Sequence, residues 1–378
     1  MSVFVTDADY KHTLAIVRSL GCKGVVVDVG SPSHNMQLSS FSKYVRKSFV
    51  YPDPKENPSR FVHFIRTLSE MIDCKVIIPV GYDATFSLSM KKKALGGDLK
   101  IPVADFSSMK IAGNKHDTIL LAEKMGIPIP KTMSLPHLSD LDVFLKNINY
   151  PIVVKGLYES GFVRYAYSKK DLKEKVAEIY ESQRVPPLLQ EFVKGEGYGF
   201  FALFNHGKPK AIFMHRRIRE RPATGGPSTC AESVYIPKLM DYGLKMLKAL
   251  KWHGVAMVEF RKDSRDGTFK LMEINPKFWG SLDLAIASGV DFPYLLYKMA
   301  MDGDVNPVFS YKLGVRFMWP FSDLLRILEK PQHLKYFFSD LLNPHVAKNI
   351  NINDLDPNFF LLAKPTLHIT SKFTDSRG

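Results

Sequence analysis

Short runs of apolar and β-branched residues alternate with helix-spaced segments along the first third of the chain. Residues 3–5 and 24–29 read as buried strands on either side of a helix over 9–20. After a loop rich in Ser and Pro, a helix over 60–71, a buried strand over 75–80 and a helix over 84–93 repeat the pattern. That alternation predicts a small α/β unit with a doubly wound parallel sheet over about the first 105 residues. No GxGxxG follows its first strand, so the pattern assigns no dinucleotide site there. The loops at Thr6-Asp7 and Gly81-Tyr82-Asp83 lie where such a sheet holds a ligand, but ordinary helix capping by Asp7 or Asp83 is the preferred explanation of them.

The pattern then changes. A helix opens at Gly113-Asn114-Lys115-His116-Asp117 and is stopped by Gly126 and the prolines 128 and 130. A helix near 138–147, a strand over 151–156 ending on Lys155, a charged helix over 171–182 and a strand over 186–193 follow. Strands over 200–204 and 210–214 are joined by Asn205-His206-Gly207, a hairpin turn. Helices are predicted over 238–250 and 282–301. Beyond 305 come amphipathic pieces over 322–329 and 334–342 and a polar end.

Between them lies the stretch with the most chemistry. Residues 254–261 and 269–275 are strand-like, and Asp266-Gly267 between them is a tight-hairpin signal. Alternate side chains on a strand share a face, so Glu273 and Asn275 project together and Glu259 on the partner strand can join them. Few oxygen ligands with open positions left over suit magnesium shared with nucleotide phosphates. A hairpin whose Glu and Asn simply face water fits the same spacing.

Other residues are read in pairs of alternatives. Lys155 is either a point charge for phosphate or a side chain that snorkels to water. In the loop after it, Ser160 and Gly161 can present backbone N–H groups to phosphates. The apolar strand ending at Val193, beside Gly195-Glu196-Gly197, makes a wall for a flat ring. His215, Arg216, Arg217, Arg219 and Arg221 form either an anion grip through Arg forks, a solvated charge run or a nucleic-acid patch.

Composition narrows the class. The chain of 378 residues has room for about two to three domains, and 45% apolar content supports real cores. Neither an apolar run of about 18 residues nor a signal-peptide pattern occurs, so a cytoplasmic protein without membrane association is expected. Cys22, Cys74 and Cys230 lack any metal or disulfide spacing. The net charge of +14 fits anionic partners without choosing among them.

Taken in order, Asn114-Lys115, Val153-Val154-Lys155, Gln190-Glu191-Phe192-Val193 with Gly195-Glu196, Glu259, and Glu273-Ile274-Asn275 resemble the ATP-grasp superfamily of carboxylate–amine ligases. The resemblance implies an α/β and α+β architecture: an N-terminal Rossmann-like domain over 1–105, a small lobe with its linker helix over 106–190, a large lobe over 191–304 and a C-terminal appendage over 305–378. It implies ATP and Mg2+ (or Mn2+) as cofactors. Lys115 and Lys155 would hold phosphates, with Ser160 and Gly161 in the phosphate loop. Glu191, Phe192 and Val193 would border the adenine, and Glu196 would take the ribose. Glu259, Glu273 and Asn275 would hold the metal, while Lys277, Arg217 and Arg219 would act on the transferred phosphate or the acid. The loop departs from the family in having Gly161 as its one glycine. The implied reaction activates a small-molecule carboxylic acid as an acyl phosphate, releases ADP and joins the acid to an amine. A small-molecule kinase, an AMP-forming ligase and a non-catalytic nucleotide- or nucleic-acid-binding protein are the alternatives. Nucleic acid is not the expected partner, and a homodimer is the assembly suggested by analogy.

Overall fold

The computed structural model describes residues 2–33, 37–96, 98–135, 141, 149–158, 162–222, 225–329 and 331–359. Strands Ser2–Val5 (β1), Val26–Ser31 (β2), Val45–Val50 (β3) and Cys74–Ile78 (β4) form one sheet in the order β3-β2-β1-β4. Every pair in it is parallel. Helix Lys11–Gly21 (α1) connects β1 to β2, Pro58–Met71 (α2) connects β3 to β4, and Tyr82–Leu95 (α3) follows β4. Alternation on β1 and β4 sends Val3, Val5, Val76 and Ile78 into one core, and Phe4 and Ile77 into another with Phe61 and Ile65 of α2. Both faces are therefore covered, as a doubly wound sheet requires. Strand β3 was not expected: it is a half-exposed edge strand, lacking the apolar run that marked its neighbours.

Helices Phe106–Gly113 (α4) and Lys115–Lys124 (α5) come next, with Asn114 Oδ1 accepting the backbone N–H groups of His116 and Asp117 as the cap of α5. A small antiparallel sheet follows, built from Thr132–Ser134 (β5), Ile152–Lys155 (β6), Val163–Ala166 (β7) and, after helix Lys169–Gln183 (α6), Leu188–Glu191 (β8). Its order is β5-β8-β6-β7. The helix expected over 138–147 lies outside the described residues except at Leu141.

The large sheet takes Gly195–Asn205 (β9), Lys208–Glu220 (β10) and Ser228–Ser233 (β11). Helix Pro237–Ala249 (α7) leads to the hairpin Gly254–Asp263 (β12) and Phe269–Asn275 (β13). Helices Leu282–Ala287 (α8) and Phe292–Asp302 (α9) precede Arg316–Met318 (β14), Pro320–Glu329 (α10), Leu334–Leu342 (α11) and Val346–Lys348 (β15). The order is β13-β12-β9-β10-β11-β14-β15. The stretch after 305 thus adds two strands to this sheet, each of three residues and too short for any periodicity to announce.

Two contacts set the frame for the site. Helices α4 and α5 pack on β13, and the backbone N–H of Leu271 donates to Pro128 O at 2.8 Å. One core then runs from Val3 and Val29 of the N-terminal sheet through α1 to Phe201 and Phe213 of the large sheet and to Trp279 just after β13.

Candidate active site: a cleft between the small and large sheets

On β12 and β13, Glu259 lies opposite Glu273 and Met257 opposite Asn275, so the three oxygen-bearing side chains share one face as the spacing predicted. Glu273 Oε1 accepts from Asn275 Nδ2 at 3.2 Å, and Lys115 Nζ stands 3.4 Å from Glu273 Oε2. Burial works to raise the Glu273 pKa, but Lys115 and Lys155 outweigh it and hold the carboxyl below its usual range. Lys115 reaches this point because Asn114 caps α5 and the helix packs on β13.

The other carboxylate is met by arginine. Arg217 Nη2 donates to Glu259 Oε2 at 2.6 Å, and its Nη1 to Glu220 Oε1 at 3.2 Å and to Gly226 O at 3.1 Å. Burial opposes the charge of Arg217, yet Glu259 and Glu220 raise its pKa. Arg261 joins through Glu220 Oε2 at 3.1 Å. Its place on β12, two residues after Glu259, is a period-2 signal that reading the sequence passed over.

The roof is the small sheet. Lys155, the last residue of β6, is 7% exposed, and burial pulls its pKa down to about 8, with Lys115 and Arg261 pulling the same way against Glu273 and Glu259. Phe162, Val163, Tyr165, Phe192 and Val193 complete that side of a cleft of about 390 Å³. Tyr165 meets Phe192 edge-on with centroids 5.8 Å apart. Lys115, Lys155, Arg217 and Arg261 thus line, with the carboxylates of Glu259 and Glu273, a space walled by aromatic and aliphatic side chains.

The resemblance extends to solved proteins. A family model described as ATP-grasp in the biosynthetic pathway with Ter operon matches residues 184–319. Biotin carboxylase from Campylobacter jejuni has a TM-score of 0.67 at 15% identity, covering 83% of this chain and 74% of that one. The chain has the ATP-grasp fold.

Other solved structures share the fold. N5-carboxyaminoimidazole synthetase from Staphylococcus aureus complexed with ADP has a TM-score of 0.66 at 14% identity, covering 88% of this chain and 86% of that one. L-amino acid ligase from Bacillus licheniformis gives 0.63 at 18% identity, with 81% and 78% covered. The carbamoyl phosphate synthase large chain of Thermoanaerobacter pseudethanolicus is 22% identical over 255 residues, or 62% of this chain. The match spans 24% of that relative, about a quarter of its length.

Not every expected site residue meets in the cleft. Lys115, Lys155, Glu191, Phe192, Val193, Arg217, Glu259, Glu273, Asn275 and Lys277 all line it. Ser160 and Gly161 lie outside the described residues. The Glu191 carboxylate is engaged by Lys270 Nζ at 2.8 Å, Arg265 Nη2 at 3.0 Å and the Lys131 N–H at 3.0 Å.

Glu196 is not brought to the cleft. It takes the Tyr198 hydroxyl at 2.8 Å and, with Arg216 and Arg316, borders a second cavity of about 310 Å³. Gly197 instead adjoins the ion network: a Cβ there would sit 2.6 Å from Glu220 Oε1 and 2.8 Å from Arg217 Cδ. Arg219 is not brought to the cleft either. A register shift on β10 between Arg217 and Arg219 breaks the alternation, and Arg219 is clamped by Asp323 of α10 and Asp340 of α11. Arg219→Met should therefore act on stability, because two carboxylates lose their counter-charge. We expect a loss of about 3–5 kcal/mol in urea unfolding, with nucleotide affinity unchanged in the variant that remains folded.

His12 is a further cleft residue, beside Arg261, Tyr165 and Trp279, that the sequence reading did not single out. It is the second residue of α1 and comes from the N-terminal sheet's side of the core.

Proposed function

We propose that the chain is an ATP- and Mg2+-dependent ligase that activates a small carboxylic acid as an acyl phosphate, releases ADP and joins the acid to an amine or similar nucleophile. The observation that carries this reading is the convergence of Glu259, Glu273 and Asn275 with Lys115 and Lys155 in one cleft. Relatives of the same fold include an L-amino acid ligase and a synthetase complexed with ADP, which supports the same class.

The donor set fits the cation the reading needs. Two carboxylates and an amide oxygen suit a hard divalent ion, and among the described residues no group of three or more His, Cys, Asp and Glu is arranged to hold a metal on its own. A cation held here would have positions open for phosphate oxygens. Glu259, Glu273 and Asn275 would hold it, and its charge would lower the cost of concentrating negative charge on the phosphates.

The chain's own groups do the rest. Lys115 and Lys155 neutralise the phosphates, the walls around Phe192 and Val193 hold the base, and Lys277 lies toward the acid. A carboxylate oxygen of the acid attacks the γ-phosphorus while the bond to the β-phosphate oxygen breaks, and ADP departs with that electron pair. The amine nitrogen next attacks the acyl carbon. Inorganic phosphate leaves and the nitrogen gives up a proton.

The test is nucleotide analysis after incubation with MgATP, panels of acids and hydroxylamine. ADP and a hydroxamate in equal amounts are expected. AMP, or a phosphorylated acid that resists hydroxylamine, would replace this reading by an AMP-forming ligase or a kinase.

A further inference from the structure

Buried polar side-chain atoms in native proteins nearly always have a partner, and an orphan bears the full desolvation penalty of its group. Three of the orphans among the described residues belong to side chains that line the one cleft: Arg217 Nε, His12 Nε2 and Trp279 Nε1. Arg217 already engages Glu259 and Glu220 through its other nitrogens. The other two have no such explanation.

They also lie together. Trp279 belongs to the turn after β13, and a Cβ on its neighbour Gly280 would lie 3.4 Å from Lys11 Cε, next to His12. Trp279 is 4% exposed, wedged on Phe201 with centroids 4.5 Å apart and edge-on to Phe292 at 5.1 Å, so the indole is fixed rather than free to seek a partner elsewhere. The His12 ring stacks on Tyr10 at 5.1 Å. An indole N–H is a donor only, so the missing partner must bring an acceptor. Lys277 lines the same end of the cleft, and its charge acts on His12. That favours an anionic acceptor over a neutral one.

We propose that Trp279 Nε1 and His12 Nε2 bind the acid substrate, taking oxygens of a small carboxylic acid at the Lys277–Gly280 end of the cleft. The inference rests on the ligase reading above and adds its acid pocket. The pocket spans two parts of the fold: the indole comes from the turn leaving the metal-site hairpin and the imidazole from the first turn of α1. An acid seated there lies between Lys277 and the N-terminal sheet. Burial, with Lys277 and Lys11, holds the His12 pKa well below its usual value, so the imidazole is neutral at pH 7 and offers a single N–H.

The test uses Trp279→Phe, which keeps the ring bulk and deletes the N–H, and His12→Phe. Wild type and variants are compared in MgADP affinity by calorimetry, and in KM for acetate, succinate, glycine, L-alanine and L-aspartate with hydroxylamine as acceptor. Each variant is expected to raise the KM of the acid used best by about 10- to 100-fold, with MgADP affinity within twofold of wild type. An unchanged acid KM overturns the proposal. A matching loss of MgADP affinity in both variants assigns the two atoms to the nucleotide and overturns it as well. If wild type binds MgADP but yields hydroxamate with none of these acids, the acid pocket falls while the nucleotide site stands. Failure of wild type to bind MgADP removes the ligase reading and this inference with it.

Discussion

Glu273→Gln is expected to lower ADP release by on the order of 10²-fold or more while the protein stays folded. The substitution is nearly isosteric and leaves an oxygen for Lys115, which stands 3.4 Å from the native carboxylate. What it removes is the negative charge. In the native protein that charge survives burial because Lys115 and Lys155 face it. After the substitution the floor retains Glu259, already paired with Arg217 at 2.6 Å, and Asn275, which is neutral. A divalent cation held there would lose one of its two carboxylate charges. Single-turnover ADP formation against MgATP, with a circular dichroism melt beside it, checks the result; near-wild-type turnover would remove Glu273 from the site.

Lys155→Met is the second large effect, and its pH dependence is distinctive. Burial lowers the ammonium's pKa from 10.5 to about 8, so charging Lys155 disfavours the folded state. The sign follows from proton counting. Between about pH 8 and 10.5 the unfolded chain holds more protons at this residue than the folded one, so the stability penalty is full below that window and fades as pH rises through it. Lys155→Met should therefore melt at or above the wild-type temperature at pH 7 and yet lose on the order of 10²-fold in ADP release. Bound phosphates reverse the shift by favouring the charged form. Near pH 8, where Lys155 of the free protein is about half protonated, MgATP binding is expected to take up about half a proton. Calorimetry in two buffers of different ionisation enthalpy measures the uptake, which should vanish in Lys155→Met.

The basic balance of the chain also becomes specific. Of the cations clustered in sequence at 215–221, Arg217 serves the cleft through Glu259, Arg219 ties the large sheet to α10 and α11, and Arg216 pairs with Glu232. Arg221 pairs with Glu329. The run is neither a single anion grip nor a solvated stripe: each of these arginines has its own acidic partner.

Local periodicity alone determined a good deal. The hairpin of β12 and β13, the shared face of Glu259, Glu273 and Asn275, the parallel N-terminal sheet and Lys155 at the end of a buried strand were all legible, because side-chain direction on a strand and the burial of its faces are properties of a few consecutive residues. Tertiary structure decided the remainder. The strands β14 and β15 exist through pairing with segments far away in the chain, and Arg219 is turned from the cleft by a register shift and by acids 104 and 121 residues away in sequence. Glu196, one step from Gly197 on β9, takes the Tyr198 hydroxyl and borders the second cavity, while Glu220 and Arg217 fill the space beside Gly197. His12 reaches the cleft because the core joins α1 to the large sheet. A strand's own repeat tells which residues share a face, but which charged group or helix meets that face is set by contacts between segments far apart in the chain, and no local pattern encodes them.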